Sequence, residues 1–152
     1  MRYWLMKSEP EAFSIDDLHN RPAQTEHWDG VRNYQARNMM RDDMKIGDQV
    51  FFYHSNCDEP GIVGIAQVVR EGYPDFTAFD PDDKHFDPKS NVEKPTWIMV
   101  DVQFVRKLMR TISLRELKQQ TELAELALLR RGNRLSIMPV SAQHWQFILA
   151  LE

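Results

Sequence analysis

The residue types best suited to molecular recognition lie between Trp28 and Arg41. Trp28 comes two residues before Gly30, and the helical pattern that follows predicts Asn33, Arg37 and Arg41 one turn apart on a single ridge. A flat aromatic ring offers stacking, and an amide offers both a donor and an acceptor, which is what the reading of a planar heterocycle requires. The pattern therefore predicts a nucleobase pocket. The alternative is that Trp28 is a core residue and that the ridge is solvated.

The sequence patterns that could form a metal site or a catalytic nucleophile are weaker than the pattern between Trp28 and Arg41. His54 and Cys57 have the spacing of two metal ligands, but no second pair completes the set that a structural zinc site needs. Ser55 follows His54 directly, and neighbours in a strand point to opposite faces of the sheet. The adjacent acids at 42–43 and 82–83 are of the kind that is usually solvated. We therefore expect no catalytic residue, no metal site and no cofactor.

The composition indicates a single globular domain over residues 1–152, with 42% hydrophobic and 28% charged residues. No apolar run approaches the roughly 18 to 20 residues that span a bilayer, and the first residues lack the pattern of a secretory signal. We therefore expect no membrane partner. The single cysteine cannot form an internal disulfide, which favours a cytoplasmic location.

Charge is unevenly distributed along a chain whose net charge is −4. Residues 71–101 hold eight acids and three bases, whereas residues 102–134 hold eight bases and three acids. A basic segment can present a positive face to phosphates even in an acidic chain. The alternative is that these helical Arg and Lys residues only solvate a surface.

Short strands alternate with short helices along the chain, without the rhythm of a doubly wound fold. Strands are predicted at 2–7, 49–55, 62–69, 96–105 and 135–138, and the second and third are expected to pair antiparallel. Ser14, Ser113 and Ser141 are predicted helix caps, and two further helices are predicted over about 31–41 and after Thr121. The segment 71–95 contains four prolines and is a candidate lid over a site.

Several strings in fixed order resemble the EVE domain. They are YWLMKSEP at 3–10, WDGVRNYQARN at 28–38, GD at 47–48 with FYHS at 52–55, GIVG at 61–64 and LSIMPV at 135–140. The resemblance runs from residue 2 to about residue 148, so a single EVE domain over 1–152 is expected. It implies an α+β, PUA-like fold, in which a small mixed β-barrel is surrounded by helices.

The resemblance also implies a function. EVE domains are related to the YTH readers of methylated adenine and are thought to bind modified bases, without an established catalytic activity. Lys7, Ser8 and Trp28 match positions of the YTH pocket by order and context. The other half of a YTH aromatic cage comes from a loop that here holds Tyr73 and three phenylalanines but no tryptophan.

We therefore expect a non-enzymatic reader of a modified nucleobase in DNA or RNA, with Trp28 as an exposed pocket wall outside the core. The base-binding residues are expected to be Lys7, Ser8, Trp28, Asn33, Ser55 and Trp97. The phosphate-binding residues are expected to be Arg32, Arg37, Arg41 and Arg106. Two alternatives stay open, a small-metabolite or nucleotide-binding protein and an enzyme acting on modified nucleotides.

Overall fold

The computed structural model describes residues 1–152, and its centre is one mixed sheet of six strands. The strands are Tyr3–Ser8 (β1), Thr25–His27 (β2), Gln49–His54 (β3), Gly61–Pro74 (β4), Ile98–Ser113 (β5) and Ile137–Val140 (β6). Their order is β2-β5-β4-β3-β1-β6, in which β1 and β3 are parallel and all other neighbours are antiparallel. The order leaves β2 and β6 as edge strands. The α+β class is confirmed, whereas closure into a barrel is not.

Four α-helices flank the sheet, and serine caps begin three of them. The helices are Ile15–His19 (α1), Tyr34–Asn38 (α2), Leu114–Lys118 (α3) and Ala142–Leu151 (α4). The side chains of Ser14, Ser113 and Ser141 accept the capping hydrogen bonds of α1, α3 and α4, as predicted. The longest helix, α4, has ten residues, and no helix is long and apolar enough to cross a membrane.

Two predicted helices differ from those observed. The helix expected over 31–41 begins only at Tyr34, because the Asn33 side chain accepts a hydrogen bond from Ala36 N and caps it there. It continues as a π-helical turn at Met39–Asp43. The helix expected after Thr121 is replaced by two short 3₁₀ turns, between which the backbone at Leu126 is extended.

Both faces of the sheet are buried, because alternate residues of each strand point to opposite sides. On β1, Trp4 and Met6 join a core on the face that α1 and α2 cover, and Leu5 joins a second core. That second core lies against α3 and α4, where Trp145 stacks on Phe51 with ring centroids 3.7 Å apart. The sheet is therefore a rigid middle layer, and the end of β1 at Ser8 is held on a fixed frame.

Candidate nucleic-acid interface

A cavity of about 390 Å³ opens where β1 and β2 end. This volume lies within the range typical of small-molecule sites. Three of its twelve lining residues are hydrophobic, and the other nine are polar or charged. The lining consists of Lys7, Ser8, Glu9, Ala12, Phe13, Arg21, Glu26, His27, Trp28, Asp29, Lys84 and His85.

Trp28 forms the apolar end of this cavity. Its ring packs edge-on against Phe13 and Phe52, with centroid distances of 6.4 and 5.5 Å. Its backbone N–H donates to the carbonyl of Val100 at 2.8 Å, and only 8% of the residue is exposed. Trp28 lines the cavity and also belongs to the core, so the expectation that it lies outside the core is wrong. The reason is that aromatic residues from two distant segments converge on it.

Several polar groups of the cavity have no hydrogen-bond partner in the protein, and one of them, His85 Nδ1, is also shielded from solvent. Lys7 Nζ lies more than 4 Å from every carboxylate oxygen and 5.8 Å from the centroid of the Tyr53 ring. The Trp28 indole N–H is also free, unlike that of Trp97, which donates to Asp87. Asp29 accepts no hydrogen bond. These groups line the cavity without a partner in the protein, so a ligand that enters the cavity can form hydrogen bonds with them.

The remaining carboxylates of the cavity are already occupied. Glu26 accepts a hydrogen bond from Arg21 Nε at 2.7 Å through one oxygen and one from the backbone of His27 at 3.0 Å through the other. Glu9 accepts one from Asn56 Nδ2 at 2.5 Å. Asp29 is therefore the one lining carboxylate whose acceptor capacity is wholly unused.

Burial also affects Lys7, one of the cationic side chains of the cavity. Desolvation lowers the pKa of Lys7 from its ordinary value, because no carboxylate compensates for the loss of water around the ammonium group. A ligand that offers Lys7 a hydrogen-bond acceptor would supply the missing partner.

A buried carboxylate, Asp75, fixes the rim of the cavity. Asp75 is fully buried and accepts from Gly30 N at 2.8 Å, from Arg32 Nη1 at 3.0 Å and from both the N–H and the hydroxyl of Thr77. Burial alone would raise the pKa of Asp75, but these hydrogen bonds outweigh it and hold the pKa below its usual value. Arg32 also donates to the carbonyl oxygen of His85 at 2.6 Å. Asp75 and Arg32 thus join the Trp28–Gly30 stretch to the segment that was predicted as a lid.

Gly30 brings the two sides of the rim into direct contact. Its φ of +81° lies in the left-handed region, which glycine adopts readily. A Cβ at this position would overlap Cε1 of the His85 ring. Only glycine therefore lets the imidazole close over the backbone beside Asp29.

The structure brings three of the six predicted base-binding residues into the cavity. Lys7, Ser8 and Trp28 line it, whereas Asn33, Ser55 and Trp97 do not. The Asn33 side chain caps α2, and the Ser55 N–H donates to the carbonyl of Ser8.

Trp97 has a different environment. It is 6% exposed, donates from its indole N–H to Asp87 at 2.7 Å, and supports Tyr34, which stacks on it at 5.0 Å. Tyr34 itself is 61% exposed. Together they form a rigid aromatic surface outside the cavity.

The predicted phosphate-binding arginines are mostly engaged with carboxylates. Arg32 pairs with Asp75, Arg41 with Asp42, and Arg106 forms two hydrogen bonds with Glu152 at 2.9 and 2.8 Å. Arg37 differs, because it donates to the carbonyl of Thr96 at 2.7 Å and lies 5.1 Å from the Tyr34 ring centroid. Among the four, Arg37 alone has no carboxylate partner.

Sequence reasoning missed Asp29, His85 and Lys84 as cavity residues. Asp29 stands inside the string at 28–38 that resembles the EVE domain, which was the signal available for it. No signal in the sequence marked His85 and Lys84 as cavity residues. Their position at the cavity depends on contacts that Gly30 and Arg32 make with residues more than forty positions away.

The possible metal half-site has another use. His54 Nε2 accepts a hydrogen bond from Ile15 N at 3.1 Å and supports the start of α1. Burial lowers the pKa of His54, which favours this neutral, accepting form. No group of three or more His, Cys, Asp or Glu residues is arranged to hold a metal ion.

Comparison with known proteins extends this description. Thymocyte nuclear protein 1 of Rattus norvegicus is 50% identical over 99% of this chain and 73% of its own length. A solved structure of human THYN1 protein in complex with 5-methylcytosine-containing DNA superposes with a TM-score of 0.95 at 48% identity, covering 99% of this chain and 97% of that one. A crystal structure from Pseudomonas syringae gives a TM-score of 0.93 at 52% identity, covering 98% of both chains. Because the rat and human relatives are named as nuclear, the cytoplasmic location expected above is not confirmed.

The family model that matches this chain is described as the EVE domain and covers residues 2–151. The match includes all six strands and four helices of the fold. The chain belongs to the EVE-domain family, as its sequence strings predicted.

Proposed function

We propose that this protein is a non-enzymatic reader of a modified base in DNA, and that its base is 5-methylcytosine bound in the cavity beside Trp28. The observation that supports this most directly is the set of unpaired groups on Lys7, Trp28 and Asp29 around one cavity. The human relative solved with 5-methylcytosine-containing DNA supports the choice of base and polymer.

The cavity suits an extruded base. Taking a base out of a duplex costs a few kcal/mol, which stacking and hydrogen bonds in the pocket must return. The edge of Trp28 and the ring of Phe13 supply apolar contact, and the free groups supply hydrogen bonds. The fixed rim around Asp75 limits the rearrangement that binding requires, which reduces the entropic cost of association.

The DNA strand on either side of the extruded base would contact the protein surface outside the cavity. Lys84 lines the mouth without an ion-pair partner, and Arg37 lies beside the exposed ring of Tyr34. A cation next to an exposed aromatic ring suits a phosphate and an adjacent base, because stacking tolerates any base. Few phosphates would be neutralised, in keeping with the net charge of −4.

The experiment compares duplexes that differ by one methyl group. Fluorescence anisotropy would measure the Kd of a labelled duplex with a central 5-methylcytosine, of the unmodified duplex and of RNA of the same sequence. We expect the methylated DNA to bind most tightly and free 5-methylcytidine to compete weakly. Equal affinity for methylated and unmodified DNA contradicts the proposal. Strong competition by the free nucleoside would favour a metabolite-binding protein.

A variant that blocks the cavity locates the binding site. Ala12 is exposed and lines the cavity, so Ala12→Leu should narrow the mouth without disturbing the core. Its matched control is Ala124→Leu, at an exposed position that does not line the cavity. Ala12→Leu should weaken the binding of methylated DNA, and Ala124→Leu should leave it unchanged.

A further inference from the structure

We propose that Asp29 and Lys7 distinguish 5-methylcytosine from thymine by reading the edge of the base. The inference rests on the proposed function and assigns the chemical basis of its selectivity. The need arises because both bases carry a methyl group at C5, so apolar contacts in the cavity cannot separate them. They differ where cytosine presents an exocyclic amine, a donor, and thymine presents O4, an acceptor.

Asp29 has the chemistry that this difference requires. An ionised carboxylate only accepts hydrogen bonds, and acidic side chains pair with the cytosine amine. The Asp29 side chain is 31% exposed, and its nearest cations or donors are His85 Nδ1 at 3.7 Å and His27 Nε2 at 3.9 Å. Both distances exceed a hydrogen bond, so the two rings flank the carboxylate without using it.

The position of Asp29 is fixed by its neighbours. The next residue, Gly30, donates its N–H to the fully buried Asp75, and the His85 ring closes over Gly30. These contacts fix the backbone that carries Asp29 and keep its carboxylate on the cavity lining, where a base with an oxygen opposite it would meet a second acceptor.

Lys7 supplies the complementary group. Its ammonium only donates, and it has no carboxylate oxygen within 4 Å, so Lys7 and Asp29 do not neutralise each other. A cytosine edge offers an accepting ring nitrogen next to the donating amine, which suits a donating ammonium group and an accepting carboxylate that line one cavity. In thymine that ring nitrogen carries a hydrogen and O4 replaces the amine, so both contacts turn unfavourable.

The test places each target base opposite an abasic site, so that neither loses a base pair on extrusion. The measured quantity is the ratio of the Kd for thymine to the Kd for 5-methylcytosine in otherwise identical duplexes. A good paired contact is worth about 1–3 kcal/mol, so we expect the wild-type protein to prefer 5-methylcytosine by about 5- to 150-fold. Asp29→Asn should reduce the ratio towards one, because its amide can donate to O4. Lys7→Met should weaken the binding of the 5-methylcytosine duplex more than the binding of the thymine duplex.

Two controls make the result specific. Asp82→Asn changes an exposed acid outside the cavity and should keep the wild-type ratio. A second control duplex carries 5-methylpyrimidin-2-one, which differs from 5-methylcytosine only by the missing exocyclic amine. The wild-type protein should bind this duplex less tightly than the 5-methylcytosine duplex. The Asp29→Asn variant should bind the two duplexes with nearly equal affinity. Thermal melting would verify that each variant is folded.

Each outcome decides between the hypotheses. If folded Asp29→Asn keeps the wild-type ratio, the assignment of Asp29 is wrong even if methylated DNA is bound. If the protein binds cytosine and 5-methylcytosine with equal affinity, and binds both more tightly than thymine, the proposed recognition of the methyl group is wrong. The proposed recognition of the base edge by Asp29 and Lys7 is then still supported. A wild-type protein that binds none of these duplexes overturns both.

Discussion

Replacing Asp75 by Asn should destabilise the whole domain, although Asp75 does not line the cavity. The substitution keeps the size of the side chain and exchanges one accepting oxygen for a donating NH₂ group. One oxygen of Asp75 accepts from Gly30 N and Arg32 Nη1, and the other accepts twice from Thr77. If the NH₂ group turns towards Gly30 and Arg32, both of their donors face another donor; if it turns towards Thr77, the Thr77 N–H loses its acceptor, although the hydroxyl can rotate to accept. The Arg32 guanidinium, whose side chain is 24% exposed, also loses its counter-charge.

The magnitude follows from the burial of this pair. Removing one partner of a buried ion pair costs about 3–5 kcal/mol, because the remaining charge is left uncompensated. In a domain of this size, 1 kcal/mol corresponds to about 2–4 °C in Tm, so Asp75→Asn should melt about 6–20 °C below the wild-type protein. The control is Asp82→Asn in the same segment, where an exposed acid with no partner is replaced and a change within about 0.5 kcal/mol is expected.

The pH dependence gives a second, independent measurement. Because the folded pKa of Asp75 lies below its unfolded value of about 4, the carboxylate stabilises the fold above that pH. This stabilisation is lost as the pH falls through the folded pKa. Urea unfolding should therefore show a difference between wild type and Asp75→Asn that is full at neutral pH and narrows in acid. A variant that melts within about 2 °C of the wild type at neutral pH would refute the reasoning.

Four further results are expected. Trp28→Ala should lower the free energy of unfolding, measured in urea, by about 3–5 kcal/mol, as expected for a core tryptophan, and Trp28→Phe should lower it by less. An unchanged unfolding midpoint in Trp28→Ala would contradict the burial of Trp28. In trypsin digestion followed by mass spectrometry, the methylated duplex should slow cleavage after Lys84, which lines the cavity, and not after Lys89, which is exposed outside it; equal protection would indicate that the whole segment closes. Arg37→Ala should weaken methylated and plain duplexes alike and reduce the slope of log K against log salt by about 0.9 if it contacts one phosphate; an effect on methyl preference alone would place Arg37 in base recognition. Cys57→Ser should leave DNA binding and metal content unchanged, and stoichiometric zinc lost in the variant would show that the His-Cys pair binds metal.

Local signals in the sequence predicted much of the fold and less of the site. The caps at Ser14, Ser113 and Ser141 were predictable because each serine bonds a backbone N–H three residues away. The burial of Trp28 was not, since it depends on Phe52 from a strand that only the tertiary fold brings near. The bidentate pair of Arg106 with Glu152 likewise spans 46 positions.

The same limit explains why the predicted cavity residues were only partly right. Lys7, Ser8 and Trp28 stand in strings that resemble the family, and the fold places them together. Asn33 has the right chemistry for base reading, but a helix begins immediately after it and its side chain is used as the cap. A residue type alone does not reveal whether its hydrogen-bonding capacity is already spent.

The position of β1 inside the sheet has a consequence for synthesis on the ribosome. β1 pairs with β3 on one side and with β6 on the other, so its partners lie at residues 49–54 and 137–140. In a nascent chain, β3 can therefore pair with one edge of this apolar strand early, but the other edge stays unpaired until nearly the whole domain has left the exit tunnel. Such non-local pairing slows folding and leaves strand edges open to other chains. Because Lys7 and Ser8 lie at the end of β1, the sheet that holds these two cavity residues is complete only when β6 has paired with β1.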